Sequence, residues 1–80
     1  MTAEVTVVDA RGLRCPMPVL ELARRTADGR LPTGSTVHLL SDDPAAAVDV
    51  PAWCAMRGHA FLGSEARADG SCAYVVRLGG

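Results

Sequence analysis

Two prolines separated by a single residue, Pro16 and Pro18, constrain the fold of this chain more than any other feature. Proline lacks the backbone N–H that a strand ladder needs, so this segment cannot lie inside a sheet. Proline is well suited to the first turn of a helix, where the N–H groups have no intrahelical partner in any case. The sequence therefore predicts that a helix begins directly after Cys15.

The first half of the chain predicts a strand, this helix and a second strand. A β-branched run indicates a strand over Glu4–Asp9. The helix that follows Cys15 is predicted to end at Gly29, and the next strand to cover Thr36–Ser41. On a period of 3.6 residues, the buried face of the helix is predicted to contain Val19, Leu20, Ala23 and Ala27.

The next segment predicts a second helix. Asp49 is a suitable N-cap and Pro51 fits the first turn, so the helix is predicted to run from Asp49 to Arg57. Gly58 then provides the C-terminal stop. Trp53 falls toward the exposed edge of this helix. The inner face is predicted to contain Val50, Pro51, Cys54 and Ala55.

A hairpin completes the predicted fold. Strands over His59–Glu65 and Cys72–Leu78 are joined by the turn signal Asp69-Gly70. The element order β-α-β-α-β-β predicts an α+β protein with a single domain over residues 1–80. Its architecture is a two-layer α/β sandwich, in which two helices cover one face of a four-stranded mixed sheet.

Charge and composition exclude several classes of function. The 80 residues carry a net charge of −1, with eight Arg and no Lys. This balance argues against a nucleic-acid binder, and the absence of Lys excludes Schiff-base and P-loop chemistry. No apolar run approaches the roughly 20 residues of a membrane helix, and Met1–Asp9 lacks the positive patch of a signal peptide. We therefore predict a cytoplasmic protein without membrane contact, whose three cysteines are reduced thiols and fit no zinc pattern.

Cys15 is the candidate reactive residue. At the start of a helix its thiol would lie at the positive end of the helix dipole, which favours the thiolate. Arg11 and Arg14 add positive charge from the preceding loop, and Gly12 lets that loop bend without blocking approach. We therefore predict a Cys15 pKa modestly below the ordinary value of about 8.5. The alternative is that Cys15 is only a helix cap, a position where Ser or Asp would serve better.

The segment around Cys15 resembles a known family signature. Residues 9–18 read Asp-Ala-Arg-Gly-Leu-Arg-Cys-Pro-Met-Pro and are similar to the Cys-Pro-x-Pro motif of the TusA (SirA-like) sulfurtransferase family. Asp42-Asp43-Pro44 resembles the end of the family's second strand, and Asp49–Cys54 the start of its second helix. Gly58-His59 and Arg77–Gly80 are also similar to family segments, so the likeness covers nearly the whole chain.

The resemblance implies a sulfur carrier with a fold like the C-terminal domain of a bacterial translation initiation factor. A cysteine desulfurase would donate sulfur to Cys15, which would hold it as a persulfide and pass it to a downstream relay protein. The implied destination is the tRNA 2-thiouridine relay, with molybdenum-cofactor maturation and sulfur oxidation as alternatives. No metal, organic cofactor or direct sequence-specific nucleic-acid binding is implied.

The resemblance also implies roles for the residues around the cysteine. Cys15 is implied to be the persulfide carrier and Arg14 its electrostatic support; Arg11 is added to this support on the local charge argument above. Met17 occupies a variable motif position and is implied to contact a partner protein. The structural frame of the site is implied to comprise Asp9, Gly12, Pro16 and Pro18.

Other thiol and acidic side chains have structural interpretations that compete with functional ones. Cys54 and Cys72 are predicted to face the core, where cysteine is common. Asp42 and Asp43 form a possible carboxylate pair for acid–base chemistry. Their sequence favours a turn and a cap for the following segment.

Histidine and tryptophan give no clear functional signal. His38 and His59 lack partners at metal-ligand spacing and are predicted to be ordinary strand residues. Trp53 either contacts a partner or packs at the helix edge, and the sequence does not decide between them.

Two further functions remain as alternatives. Ubiquitin-like sulfur carriers activate a C-terminal Gly-Gly as a thiocarboxylate, and Gly79-Gly80 matches that ending. The predicted element order lacks the ubiquitin-like hairpin start, which argues against this chemistry. The other alternative is a non-catalytic RNA- or protein-binding module, and the balanced charge argues against the RNA-binding form.

Overall fold

A computed structural model describes residues 5–27, 29 and 31–79 of the chain. Its element order, β-α-β-α-β-β, confirms the order predicted from the sequence. Glu4, the first residue of the predicted strand, lies outside the described residues. The elements are β1 (Val5–Asp9), α1 (Met17–Ala27), β2 (Thr36–Ser41), α2 (Ala46–Arg57), β3 (Ala60–Ala66) and β4 (Cys72–Arg77).

The four strands form one mixed sheet in the order β1-β2-β4-β3. β1 and β2 are parallel, and the connection between them contains α1, as a parallel crossover requires. β4 pairs antiparallel with both β2 and β3, and the turn at Asp69-Gly70 joins the β3–β4 hairpin as predicted. The predicted fold class is therefore confirmed.

The core lies between the two helices and one face of the sheet. The register aligns Val8 of β1 with Leu39 of β2, and Leu39 with Tyr74 of β4, so these side chains share a face. Both helices pack against each other and against this face. The other fully or nearly fully buried core residues include Leu22, Val37, Val50, Trp53, Cys54 and Val76.

The buried face of α1 differs from the predicted one. Leu22 is completely buried and Pro18 is buried, whereas Leu20 is 48% exposed and Ala27 is exposed. Val19 and Ala23 pack against the core as predicted. The apolar residues of this helix form two overlapping stripes, and the sheet selects the one that contains Leu22.

α2 begins three residues before its predicted start. The backbone N–H of Ala45 donates to Asp43 Oδ1 over 3.1 Å, and that of Ala46 donates to the Asp43 carbonyl over 3.0 Å. Asp43 therefore initiates the helix, and Pro51 lies inside it. Proline removes only the hydrogen bond to the carbonyl of Ala47, which is exposed, so water can replace that bond.

The inner face of α2 is also corrected. Trp53 is only 6% exposed and belongs to the core, and Ala46 is buried as well. Ala55, which was predicted to face inward, is exposed. The earlier helix start adds the turn that contains Ala46, and the ring of Trp53 packs at 4.8 Å from that of His59, just before β3.

Candidate functional site

Cys15 lies in the turn between β1 and α1, and it is exposed. The N–H of Met17 donates to the carbonyl of Arg14 over 2.7 Å, and the N–H of Leu20 donates to the carbonyl of Pro16 over 3.2 Å. The helix therefore begins at Met17, two residues after the cysteine rather than directly after it. The Cys15–Pro16 peptide bond is cis.

Two carboxylates from the end of β2 hold the backbone of this turn. Asp43 Oδ2 accepts the N–H of Cys15 over 2.5 Å, and Asp42 Oδ1 accepts the N–H of Gly12 over 3.1 Å. The hydrogen bonds from Cys15 and then Ala45 lower the pKa of Asp43. The predicted turn and cap are confirmed for Asp43, and both carboxylates also fix the cysteine loop.

Asp49 contacts the thiol itself. Cys15 Sγ donates to Asp49 Oδ2 over 2.9 Å, across 34 residues of sequence. This hydrogen bond is the main cause that raises the pKa of Cys15 above its ordinary value; desolvation and the negative charges of Asp49 and Asp43 add to it. The predicted depression of the Cys15 pKa is therefore wrong, because an acidic side chain faces the thiol.

This role of Asp49 was not predicted, because its position in the sequence suggested a helix N-cap. Asp43 and Pro44 supply an adequate helix start six residues upstream, which leaves Asp49 unexplained as a cap. The sequence did contain a signal for this role. Asp49 is acidic, the helix does not need it as a cap, and it lies in a segment that resembles a family motif.

The predicted electrostatic support of Cys15 is not what the arginines provide. Arg11 binds Asp9 through Nη2 at 2.7 Å and Asp69 through Nη1 at 3.0 Å. It therefore ties the end of β1 to the β3–β4 hairpin. Arg14 is exposed, and its charge helps to lower the pKa of Asp43.

The Arg11 ion pairs should make stability depend on pH. The side-chain hydrogen bond from Arg11 lowers the pKa of Asp9 from 3.8 to about 2. A lowered folded-state pKa stabilises the fold above the ordinary pKa, and this contribution is lost as pH falls toward the folded value. We expect Arg11→Gln to reduce stability in urea unfolding at neutral pH, and the difference from the parent protein to vanish near the lowered pKa of Asp9.

Arg24→Gln is the matched control for this comparison. Arg24 pairs with Glu21 at 3.3 Å on the exposed side of α1, and 71% of its side chain is exposed. Such a pair contributes little to stability, so this variant should behave like the parent. If Arg11→Gln lowers the free energy of unfolding equally at neutral pH and near the lowered pKa of Asp9, Arg11 stabilises the fold by packing and not by its charge.

A shallow groove of about 260 Å³ opens beside the thiol, between α1 and α2. Pro16 and Val19 line it from the α1 side, and Ala52 and Met56 from α2. Met56 is 75% exposed, so the thiol of Cys15 borders an accessible apolar surface. Pro18, the second residue of α1, is buried.

The other two cysteines are placed differently. Cys54 is 1% exposed, and burial raises the pKa of its thiol. Cys72 is half-buried and packs against the core from the inner face of β4. Both positions match the prediction that these residues face inward.

The two histidines lie in separate environments. His38 is a half-buried residue of β2, as predicted. His59 precedes β3 and is not a strand residue: its ring lies 4.8 Å from that of Trp53, and its Nδ1 accepts the N–H of Gly79 over 3.0 Å. Within residues 5–27, 29 and 31–79, no group of three or more His, Cys, Asp or Glu side chains could hold a metal ion.

Packing explains the glycine at position 79. A Cβ on Gly79 would lie 1.9 Å from the carbonyl oxygen of Gly58, so no larger residue fits without movement of the backbone. Gly80, the other member of the Gly-Gly pair, lies outside the described residues. The identity of Gly79 therefore does not require thiocarboxylate chemistry.

Neither helix in the described part of the chain has the length and apolar character needed to cross a membrane. The family model described as "Sulfurtransferase TusA" matches residues 6–78. The chain is also 34% identical over 80 residues to "Putative sulfur carrier protein YrkF" of Bacillus subtilis (strain 168). All of this chain is covered, and it spans 42% of the length of that relative.

Proposed function

Because this chain belongs to the TusA sulfurtransferase family, we propose that it is a sulfur carrier that accepts sulfur on Cys15 as a persulfide. The donor is a cysteine desulfurase, and the acceptor is the next protein of a sulfur relay. The carrier acts in the cytoplasm and uses no resident metal or organic cofactor. The relationship to a sulfur carrier protein of Bacillus subtilis supports the general role.

The observation that carries this proposal is the exposure of Cys15 beside the groove. A persulfide must be reached by the active-site cysteine of a donor and later by that of an acceptor. Cys15 is exposed, whereas Cys54 is buried and Cys72 is half-buried. Cys15 is therefore the thiol that a second protein can approach.

The transfer is a thiol–persulfide exchange. Cys15 Sγ bonds to the terminal sulfur of the donor persulfide, and the sulfur–sulfur bond of the donor breaks. The donor cysteine takes the electron pair of that bond and leaves as a thiolate, which accepts the proton lost by Cys15. Delivery repeats the exchange with Cys15 as the leaving group, so the cycle requires no external oxidant or reductant.

Apolar residues around the thiol supply the proposed contact surface for both partners. Met17 is 39% exposed, Leu20 is 48% exposed and Met56 is 75% exposed. Methionine is flexible and adapts to different surfaces, which suits a protein that binds a donor and an acceptor in turn. Trp53 lies at the base of the groove and is buried, so it supports this surface rather than forming its outer part.

The proposed destination of the sulfur is the 2-thiouridine of tRNA. We expect deletion of the gene to reduce 2-thiouridine in bulk tRNA strongly, because the relay loses one of its carriers. Mass spectrometry of nucleosides from digested tRNA measures this directly. Re-expression of the parent protein should restore the modification, and re-expression of Cys15→Ser should not.

Molybdoenzyme activity and sulfur oxidation in the same strain distinguish the alternatives. Normal 2-thiouridine with a loss of either activity would redirect the carrier to that pathway. Normal values for all three would contradict a role in these relays. Restoration by Cys15→Ser would contradict the persulfide mechanism itself.

A further inference from the structure

The hydrogen bond between Cys15 and Asp49 can exist only in the empty carrier. A carboxylate can only accept, so the proton of the 2.9 Å contact must belong to the thiol. Once Cys15 carries a persulfide, Sγ is bonded to a second sulfur and has no proton to donate. The contact that the structure shows is therefore specific to the unloaded state.

Loading also reverses the electrostatic relation between the two groups. The terminal sulfur of an ionised persulfide is negative and faces the carboxylate of Asp49, and like charges at this distance repel. Asp43 adds negative charge from the end of β2, since its Oδ2 binds the N–H of Cys15. Arg14 lies on the same loop as Cys15, and its positive charge lowers the pKa of Asp43.

The groove beside Cys15 has room for a sulfur atom that is repelled by Asp49. Apart from Asp49, its lining beside the thiol is apolar and comes from Pro16, Val19, Ala52 and Met56. The thiol itself is exposed, so a sulfur bonded to Sγ has access to solvent. A loaded sulfur can thus leave the carboxylate without displacing the core.

We propose that Asp49 is a positioning residue that distinguishes the empty carrier from the loaded one. It holds the empty cysteine as a neutral, weakly nucleophilic thiol through this hydrogen bond, and it no longer holds the sulfur once Cys15 is loaded. This inference rests on the proposed function, because only a sulfur carrier alternates between these two states. Its consequence is a large difference in reactivity between loaded and empty protein.

The test compares alkylation of Cys15 by iodoacetamide as a function of pH in empty and loaded protein. Loading uses inorganic polysulfide, which donates a terminal sulfur and leaves as the shorter chain, so no desulfurase is needed. The products are quantified by mass spectrometry on the peptide that contains Cys15. Asp49→Asn removes the charge of the carboxylate, and Glu21→Gln is the matched control, since Glu21 is a carboxylate that pairs with Arg24 on α1 and not with the thiol.

We expect Asp49→Asn to accelerate alkylation of the empty protein at neutral pH by about fivefold and to shift its pH profile downward. A fivefold change in rate corresponds to about 1 kcal/mol, which is the interaction energy of two unit charges in close contact in water. The loaded protein should change by less than about twofold, since a persulfide is already ionised at neutral pH. Glu21→Gln should leave both rates near those of the parent.

The proposal would be overturned if Asp49→Asn left the pH profile for alkylation of the empty protein unchanged. It would also be overturned if Asp49→Asn accelerated alkylation of the empty and loaded forms equally. Cys54 reports on the fold, because it is buried and should stay unmodified in every variant. If Asp49→Asn exposes Cys54, Asp49→Ser replaces it in the same comparison. If polysulfide loads the parent protein but a cysteine desulfurase does not, the proposed donor is wrong. The comparison of Asp49→Asn with the parent still tests the role of Asp49.

Discussion

Replacement of Cys15 by serine is expected to abolish sulfur loading completely. A hydroxyl oxygen cannot form a persulfide, and the other two thiols face inward. Loading is measured by incubation with a cysteine desulfurase and radiolabelled cysteine, followed by electrophoresis without reductant. The parent protein should retain the label, and reductant should release it.

Variants of the two remaining cysteines provide the controls for this experiment. Cys54→Ala and Cys72→Ser should both keep the label, because Cys54 is 1% exposed and Cys72 is half-buried. The alanine replacement avoids placing a polar hydroxyl in the core at position 54. Persistent label in Cys15→Ser would show that another residue carries sulfur, and the assignment of the site would have to be abandoned.

The second large effect concerns stability rather than sulfur transfer. Leu22→Ala is expected to reduce the free energy of unfolding by about 2–5 kcal/mol, since Leu22 is completely buried and its removal leaves a cavity. Total stabilities of small domains are only about 5–15 kcal/mol, so this variant should be close to unfolding at moderate temperature. Urea unfolding monitored by circular dichroism measures the loss.

Leu20→Ala is the matched control in the same helix. Leu20 is 48% exposed, so the same chemical change should alter stability by no more than about 0.5 kcal/mol. The pair tests the rotation of α1 against the sheet. Similar losses for both variants, or a larger loss for Leu20→Ala, would mean that the helix packs on the face originally predicted from its periodicity.

The order of the elements could be predicted because its signals are local. Pro16 and Pro18 exclude a strand, Gly58 ends a helix, and Asp69-Gly70 makes a hairpin turn through backbone preferences of the residues themselves. These preferences act within a few residues and need no knowledge of the rest of the chain. The same locality placed Cys15 just before a helix.

Helix boundaries and faces were predicted less well where two local signals competed. α2 has two possible caps, Asp43 and Asp49, and only the later one avoids a proline inside the helix. In α1, Leu20 and Leu22 lie on different faces, and each belongs to a plausible apolar stripe. Only the position of the sheet decides which stripe is buried.

The chemistry around the thiol was the part that the sequence could not supply. The carboxylate that contacts Cys15 lies 34 residues away, and one of the two acidic partners of Arg11, Asp69, lies 58 residues away. Neither contact follows from the properties of the loop that contains Cys15. The sequence by itself predicted Cys15 as the reactive residue and determined that a helix follows it. The tertiary structure alone decided that a negative group faces the thiol, because charges act through space, and the distances between them are set by how α1, α2 and the sheet pack.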